Sequence, residues 1–505
     1  MLWIALHLPL LSLESFAATL GAAQQALPIA LLDGKQLSAA NRAARQLGVR
    51  PGLKRSTALA LAPQLLFGQA DAAREAQARL ALAHAALEFT PSVSLHGAQG
   101  VLLEVQPSLR AFGGMARLLQ RLQDSAAALA HTLRFATAPT AQGAALLAQW
   151  AREPQEIVGP HTTDLAALRR LLDGAPVSLI DAAREHRAVL QGMGLHTLAA
   201  LRALPREGLA RRFGEALLTE LDRARGDSPD PREAVLLPET FESRLELFAR
   251  ADTAEQLLHG AQILLARLLA WARARQARVA RFTLVMQHEP RHRGGDGTPG
   301  STELEVALAE ASNDAAHLQS LLRERLGRLP LPAPALELRL RCRDLVHRAA
   351  PNHELFPTRA SEHEGLTHLL ERLQARLGPA QVQRLQRVAD HRPERATVWQ
   401  PLDAATPVRE PPAALPSLPK LTRPVWLLDT PQSLQEQRAQ PLLEGRPLQL
   451  LAGPERIETG WWDGIPAARD YFVAQAQGGA LVWVFRTRLP KSAAAEGWFL
   501  HGRFA

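Results

Sequence analysis

Seven prolines fall between Pro401 and Pro424. Proline has no N–H to donate and its ring blocks a helix interior, so neither helix nor central strand can run through this stretch. Such a segment is expected to be a flexible or extended linker. The chain must therefore build independent structure on either side of it. The part before the linker is itself too long for one ordinary core, and 505 residues predict three to five domains in all.

Hydrophobic residues make up 47% of the chain, a globular proportion, and the formal net charge is +8. That charge favours an anionic partner such as nucleic acid. An Arg- and Ala-rich composition would give the same sign without any such partner, so charge alone does not decide. The single cysteine, Cys342, excludes intrachain disulfides and any cysteine cluster for zinc or iron–sulfur, and fits a reducing cytoplasm. The apolar run Met1–Leu13 carries no Lys or Arg and is interrupted by Pro9, with Glu14 following, so it reads as a buried first strand rather than a signal peptide. No segment has 18 uninterrupted apolar residues, and no membrane span is expected.

Residues 2–8 and Val101–Val105 read as strands, Met115–Ala130 as a helix, Thr132–Ala138 as a strand and Gly143–Arg152 as a helix, an α+β order. Residues 165–226 are helical with short loops. Within them Leu190-Gln191-Gly192-Met193-Gly194-Leu195-His196-Thr197-Leu198 has the helix-hairpin-helix pattern, apolar-x-Gly-x-Gly-x-x-Thr-apolar. Its glycines permit close backbone approach, and N–H groups at the second helix start can point at a DNA phosphate; the same pattern also serves as a plain turn. Gly226–Leu237 reads as a linker.

Phe241–Val346 gives strand, helix, strand, loop, strand, helix, strand, with Asp252-x-x-Glu255 as the expected cap of the first long helix. The last strand alternates. Leu336, Leu338, Leu340 and Cys342 share one face, and Glu337, Arg339, Arg341 and Arg343 the other. Three guanidinium groups spaced about 7 Å apart suit a phosphate track. Leu366–Ala389 is helical. From Val425 the chain is strand-rich, and six of its nine tryptophans (399, 426, 461, 462, 483 and 498) lie in the last quarter, where aromatic density most often means core.

Several of these segments resemble Y-family translesion DNA polymerases. Their opening strand reads roughly Asp-x-Asp-x-Phe-Phe-x-x-Val-Glu, and a second acidic motif reads Ser-x-Asp-Glu-Ala-x-Leu-Asp. Here the matching segments are Ile4-Ala5-Leu6-His7 through Glu14, and Gln99-Gly100-Val101-Leu102-Leu103-Glu104. Aligned on Glu14, the metal-binding Asp falls on Ala5; aligned on Leu103-Glu104, the Asp-Glu pair falls on Gln99-Gly100. Those acids hold the divalent metals of phosphoryl transfer. Ala5 and Gly100 have no ligand atom, and His7 suits softer metals. The fingers motif Tyr-x-Ala-Arg has Arg42 at the Tyr position and keeps Arg45. Where the family carries lysines toward the incoming triphosphate, this chain has Ala141, Ala145 and Glu153.

The resemblance extends to both ends and points to the ImuB family, inactive Y-family homologues of the bacterial mutasome. Its marks are Met1–Glu14 with Ala5, Phe89–Gly114 including Ser108-Leu109-Arg110-x-Phe112-Gly113-Gly114, Ala389-Asp390-His391-Arg392-Pro393-Glu394, Glu458-Thr459-Gly460-Trp461-Trp462, Arg469-Asp470-Tyr471-Phe472 and Gly497-Trp498-Phe499-Leu500-His501-Gly502-x-Phe504. It implies a palm with inserted fingers over 1–164 (fingers about 15–85), a helical thumb over 165–236, a little finger over 240–347, a connector over 348–424 and a β-rich partner-binding module over 425–505. It also implies a cytoplasmic, non-catalytic scaffold of SOS mutagenesis and translesion synthesis, without cofactor or metal. Its partners would be primer–template DNA, the β sliding clamp, the RecA-like ImuA protein and an error-prone C-family DNA polymerase. The DNA contacts expected are Gly192, Gly194, Arg339, Arg341 and Arg343. Asn352-His353-Glu354-Leu355-Phe356 resembles the clamp-binding peptide Gln-x-x-Leu-Phe, with Asn352, Leu355 and Phe356 as its contacts. Two other readings stay open: an active polymerase using displaced carboxylates such as Glu104 or Glu14, and a stand-alone factor that binds DNA structures.

Overall fold

The computed structural model describes residues 1–150, 158–289, 300–347, 359–402, 423–488 and 497–504. The chain divides into two compact units, Met1–Arg376 and Leu377–Ala505. The first unit mixes helix and sheet and the second is β-rich, an α+β multidomain fold.

The first unit is organised by a five-stranded sheet in the order Val93–His96, Gly100–Glu104, Trp3–His7, Arg134–Ala138, Val158–His161. Trp3–His7 is central and buried on both faces, which explains its continuous apolar run. Ile4 and Leu6 enter a core with Leu82, Leu118 and Leu122 from the helices Ala72–Leu87 and Met115–Ala127. Ala5, on the opposite face, packs with Leu102, Ala136 and the alanine-rich helix Ala141–Gln149. A smaller sheet (Gln36–Ala40, Ile29–Asp33, Leu66–Gln69) carries the short helix Arg42–Gln46, capped by the Asn41 side chain accepting from Ala44 N at 2.8 Å. Helices from Leu165 to Arg225 follow, and the last ends on Gly226 at φ +76°, a left-handed conformation natural to glycine.

A four-stranded antiparallel sheet completes this unit, in the order Ser301–Ser312, Ala277–His288, Ala335–His347, Phe241–Ala251. The helices Ala254–Ala274 and Ala315–Arg328 share its core. The expected Asp252 cap is corrected by one residue. The N-cap is Thr253, whose hydroxyl accepts from Gln256 N at 3.3 Å while the Gln256 side chain accepts from Thr253 N at 3.2 Å. Gln at the third helical position closes a capping box on Thr as well as Glu would on Asp. The helix Arg359–Leu377 is held to this domain by Glu371, which accepts from Ala309 N and pairs with His317 at 2.6 Å, both side chains buried.

The helix expected over Leu366–Ala389 ends at Leu377 instead, and the second unit has a two-stranded hairpin, Gln383–Arg387 with Thr397–Pro401, and a seven-stranded antiparallel sheet. The long strands of that sheet are Trp426–Gln437, Trp498–Arg503, Leu481–Thr487, Ala467–Gln475 and Gln449–Thr459, hydrogen-bonded in that order. Trp483 and Trp498 are buried, but Trp399, Trp426, Trp461 and Trp462 are 57–76% exposed. The expectation of an aromatic core thus holds for two of these six tryptophans and fails for four.

Burial also sets an acid sensitivity. His84 in the first unit and His501 in the second are both buried, and burial depresses each from 6.5 to about 4. The unfolded chain therefore takes up protons on these rings first as pH falls. Their contribution to stability is complete above pH 6.5 and is lost between about 6.5 and 4. Thermal unfolding should show a plateau at neutral pH and a falling midpoint across that window; a midpoint constant to pH 4.5 would contradict this.

Candidate functional site

The positions matched to catalytic acids lie on adjacent central strands. Ala5 pairs with Leu102 on one side and Ala136 on the other, and is 2% exposed. His7 pairs with Gly100, and Gly100 pairs with His96. Gln99 accepts from Leu8 N at 2.9 Å through its backbone. A Cβ built on Gly100 would lie 2.7 Å from the His96 carbonyl oxygen and 3.1 Å from its Cβ. The space a larger residue would need at position 100 is thus taken by His96.

The two carboxylates considered as substitutes are engaged elsewhere. Glu104 sits opposite Trp3 and accepts from Gln106 N at 3.2 Å. Four residues along a strand put it about 13 Å from Gly100. Glu14 accepts from Thr132 N at 2.9 Å and from its hydroxyl at 2.5 Å. Burial, then the Arg134 charge and His96, hold His7 near 4, so its ring is neutral at pH 7. Among the described residues no three of His, Cys, Asp and Glu converge in an arrangement that could hold a metal ion. Ala5 and Gly100 carry no side-chain oxygen that could ligate a hard divalent metal.

A polar network stands beside these positions instead. Arg232, in the segment read only as a linker, places Nη1 3.1 Å from His96 Nδ1 and donates from Nη2 to Gln142 Oε1 at 2.8 Å and Asp230 at 2.6 Å. Gln142 in turn donates to Glu220 at 2.9 Å, and Glu220 accepts from Asp181 N and Ala182 N at 3.1 and 3.0 Å. Burial first, then the Arg232 charge, lower the His96 pKa, which keeps Nδ1 an acceptor. Val235 N also donates to Val93 O at 2.8 Å, continuing the attachment along the sheet edge. The network ties sheet, helical domain and linker together. No motif marks it, because its members are scattered from His96 to Arg232.

Of the expected DNA contacts, Gly192, Gly194 and Arg343 are exposed, and Arg339 and Arg341 are half-buried. Gly192 and Gly194 form the turn after the helix Arg187–Gly192, with open space where a Cβ would stand. Gly194 has φ +75°, strained for other residues. Arg339, Arg341 and Arg343 share the outer face of the strand Ala335–His347, but the face is mixed in charge. Arg339 pairs with Glu242 and Glu337 at 3.2 Å, and Arg341 reaches Glu242 and Glu303 at 3.8 Å. The more exposed of these pairs, Arg341 with Glu242 and Glu303, contribute at most about 1 kcal/mol each. Asn352, Leu355 and Phe356 lie outside the described residues.

In the second unit, segments far apart in sequence meet. Buried Arg392 donates to Asp390 and Asp463, both at 2.6 Å, and its guanidinium stands 6.0 Å from the Trp462 ring centre. Glu394 pairs with Arg469 at 3.0 Å, Arg469 donates to the Tyr471 hydroxyl at 3.0 Å, and that hydroxyl lies 2.8 Å from His501 Nδ1. Trp461 and Trp462 form an exposed edge-to-face pair above this buried cluster. Four of the six sequence marks singled out for this family thus build one place.

The IMS (impB/mucB/samB) family pattern matches residues 13–149. Protein ImuB of Caulobacter vibrioides is 30% identical over 481 residues, covering 91% of this chain and 100% of the relative, with the same figures in strains NA1000 / CB15N and ATCC 19089 / CIP 103742 / CB 15. Similar solved structures include the insertion ternary complex of Dbh DNA polymerase (16% identity, TM-score 0.38, 69% of this chain and all of that one). A Y-family DNA polymerase chimera of Dbh and Dpo4 gives 15% and 0.37 over 69% of this chain and all of that one. DinB from Sulfolobus solfataricus gives 16% and 0.37 over 68% and 98%. With 30% identity maintained across nearly the full length of both proteins, the chain belongs to the ImuB family.

Proposed function

We propose that the chain is a non-catalytic scaffold of SOS mutagenesis and translesion synthesis. It binds DNA and the β sliding clamp and recruits ImuA and an error-prone C-family DNA polymerase. The observation that carries this reading is the residue set at the matched acid positions: Ala5 buried among methyl groups, and Gly100 crowded by His96. Two-metal phosphoryl transfer needs hard oxygen ligands at that point. Glu104 and Glu14 are poor substitutes because both face away into their own hydrogen bonds. Membership of the ImuB family and the match to the IMS pattern support the same reading. Among the described residues no helix is long and apolar enough to cross a membrane.

DNA is held in this reading mainly through phosphates, at the Gly192–Gly194 turn and the arginine face. Affinity should fall with salt at a log–log slope near −0.9 per phosphate neutralised. Arg339→Ala, Arg341→Ala and Arg343→Ala together should flatten that slope by about 2 to 3 and weaken binding alike on unrelated sequences. Fluorescence anisotropy across a salt series measures it, and an unchanged slope would move DNA to another face. Copurification with clamp and ImuA separates the scaffold from a stand-alone DNA-structure-binding factor, which would retain neither.

A further inference from the structure

The two-stranded hairpin of the second unit is clamped at both ends and bare in the middle. Val382 and Leu402 at its open end are each 8% exposed, and Arg392 and Pro393 at its turn end are buried, with Arg392 held to Asp463 at 2.6 Å. Between these anchors Leu385 and Trp399 stand directly opposite each other, 58% and 63% exposed. Among the described residues the strands Gln383–Arg387 and Thr397–Pro401 have no third strand beside them. A two-stranded hairpin is marginal alone, so its ends, and not its middle, hold it in place.

The register decides which backbone groups face outward. Val388 N donates to Ala396 O and Leu402 N to Val382 O, both at 2.8 Å. In an antiparallel pair such bonds fall on alternate residues. The N–H and C=O groups of Gln383, Leu385 and Arg387 therefore point away from Thr397–Pro401. On the opposite edge an outward position is taken by Pro401, which has no N–H. One edge is blunted by proline; the other is an open template of the kind soluble proteins seldom leave uncovered. Charge is one-sided as well. The two strands carry Arg384 and Arg387 and no carboxylate, and the nearby Asp390 and Glu394 are paired with Arg392 and Arg469.

We propose that the Gln383–Arg387 edge is a docking site for an extended acidic–apolar segment of a protein partner, which adds to the hairpin as a third strand. The inference rests on the reading that this unit recruits partners, and names how one of them is held. Backbone bonds to Gln383, Leu385 and Arg387 give affinity, and alternate side chains give specificity. On the face of Leu385 and Trp399 the guest presents an apolar residue. One carboxylate meets Arg387 on that face, and another meets Arg384 on the opposite face. A second copy of this chain fits poorly, because it brings arginines against arginines. The chain's own stretch from Pro401 to Pro424 fits poorly too, because its seven prolines interrupt the run of N–H groups that a strand needs.

The test measures binding of purified ImuA and C-family polymerase to the full-length chain. Leu385→Ser with Trp399→Ala should weaken capture of one of them by about tenfold or more, the loss of an interface anchor. Both side chains are exposed, so the unfolding midpoint should hold. Arg384→Glu with Arg387→Glu should weaken the same partner, most strongly at low salt. Arg446→Glu, exposed on another strand of the unit, should leave it unchanged. Gln383→Pro removes one outward N–H and no bond between the two strands, and should weaken the same partner as well. Retention of both partners by all the hairpin variants, with loss on deletion of residues 377–505, would overturn the strand-addition site and leave the recruiting role of the unit standing. Retention by the deletion itself would overturn both. Full binding by Gln383→Pro, with loss in the other variants, would mean docking on the face without strand addition. Loss of self-association in place of partner binding would assign the edge to a second copy. Either result would overturn the proposal.

Discussion

Replacing Leu355 and Phe356 together by alanine is expected to detach the protein from the sliding clamp, weakening binding more than a hundredfold. An extended clamp-binding peptide places its apolar pair in a pocket, and burying each such side chain contributes about 1.5–3 kcal/mol. Losing both costs at least about 3 kcal/mol, which is over two decades in Kd. Pro351 and Pro357 flank the segment and bias it away from helix. Asn352 is one methylene shorter than the Gln of the motif, so the starting affinity is expected in the micromolar range, about −8 kcal/mol. The structure adds a mechanical argument from the flanks. The strand Ala335–His347 ends before the segment, and the helix Arg359–Leu377 after it returns to the same domain through the Glu371–His317 pair. A motif bracketed by two anchored elements is presented with a smaller ordering cost than one on a free tail. Surface plasmon resonance on immobilised clamp measures the loss. If Leu355 and Phe356 instead pack on their own domain, the double variant would lower the unfolding midpoint while clamp binding persisted.

Deleting residues 377–505 is expected to abolish copurification of ImuA and the C-family polymerase and to leave DNA affinity within about twofold. The cut belongs at Leu377 because the unit begins there. A deletion from Val425 would keep Arg392 and Glu394 but remove Asp463 and Arg469, their partners. A finer variant separates docking from folding. Trp461 and Trp462 are 76% and 57% exposed, so changing both to alanine should cost the fold little. Exposed aromatic clusters are common anchors of protein interfaces, and losing one typically costs 2 kcal/mol or more, about thirtyfold. Full retention of both partners by the 377–505 deletion would refute the assignment of this unit.

Much of this architecture was legible where a side-chain period is enforced by burial. The alternation of Leu338, Leu340 and Cys342 against Arg339 and Arg341 appears as an inner and an outer sheet face, but a bulge at its start puts Ala335 rather than Leu336 in the core. The run around Ile4 and Leu6 reads as a strand because both of its faces are covered. The Gly192-x-Gly194 spacing marks a turn because Gly194 adopts a positive φ. Features that depend on tertiary partners were not legible. Trp483 in the apolar run Leu481–Phe485 is buried, whereas Trp426 in an equally apolar run, Val425 to Leu428, is exposed. The carboxylates that pair with Arg339 and Arg341 come partly from other strands of the sheet, Glu242 and Glu303. Arg232 looks like any charged linker residue until His96 and Gln142 are brought to it from 136 and 90 positions away. The Thr253 cap was missed by one position because Asp252 and Thr253 are both good caps.

The central claim is that the fold has kept its polymerase-like frame and surrendered the chemistry. Template-directed incorporation on a primed template, by protein purified to remove contaminating polymerases and supplied with Mg²⁺ or Mn²⁺ and all four nucleotides, tests it most directly. The account predicts no primer extension at any enzyme concentration, and none after Gly100→Glu, since His96 occupies the space that side chain would need. Template-dependent extension that copurifies with the intact chain would contradict it.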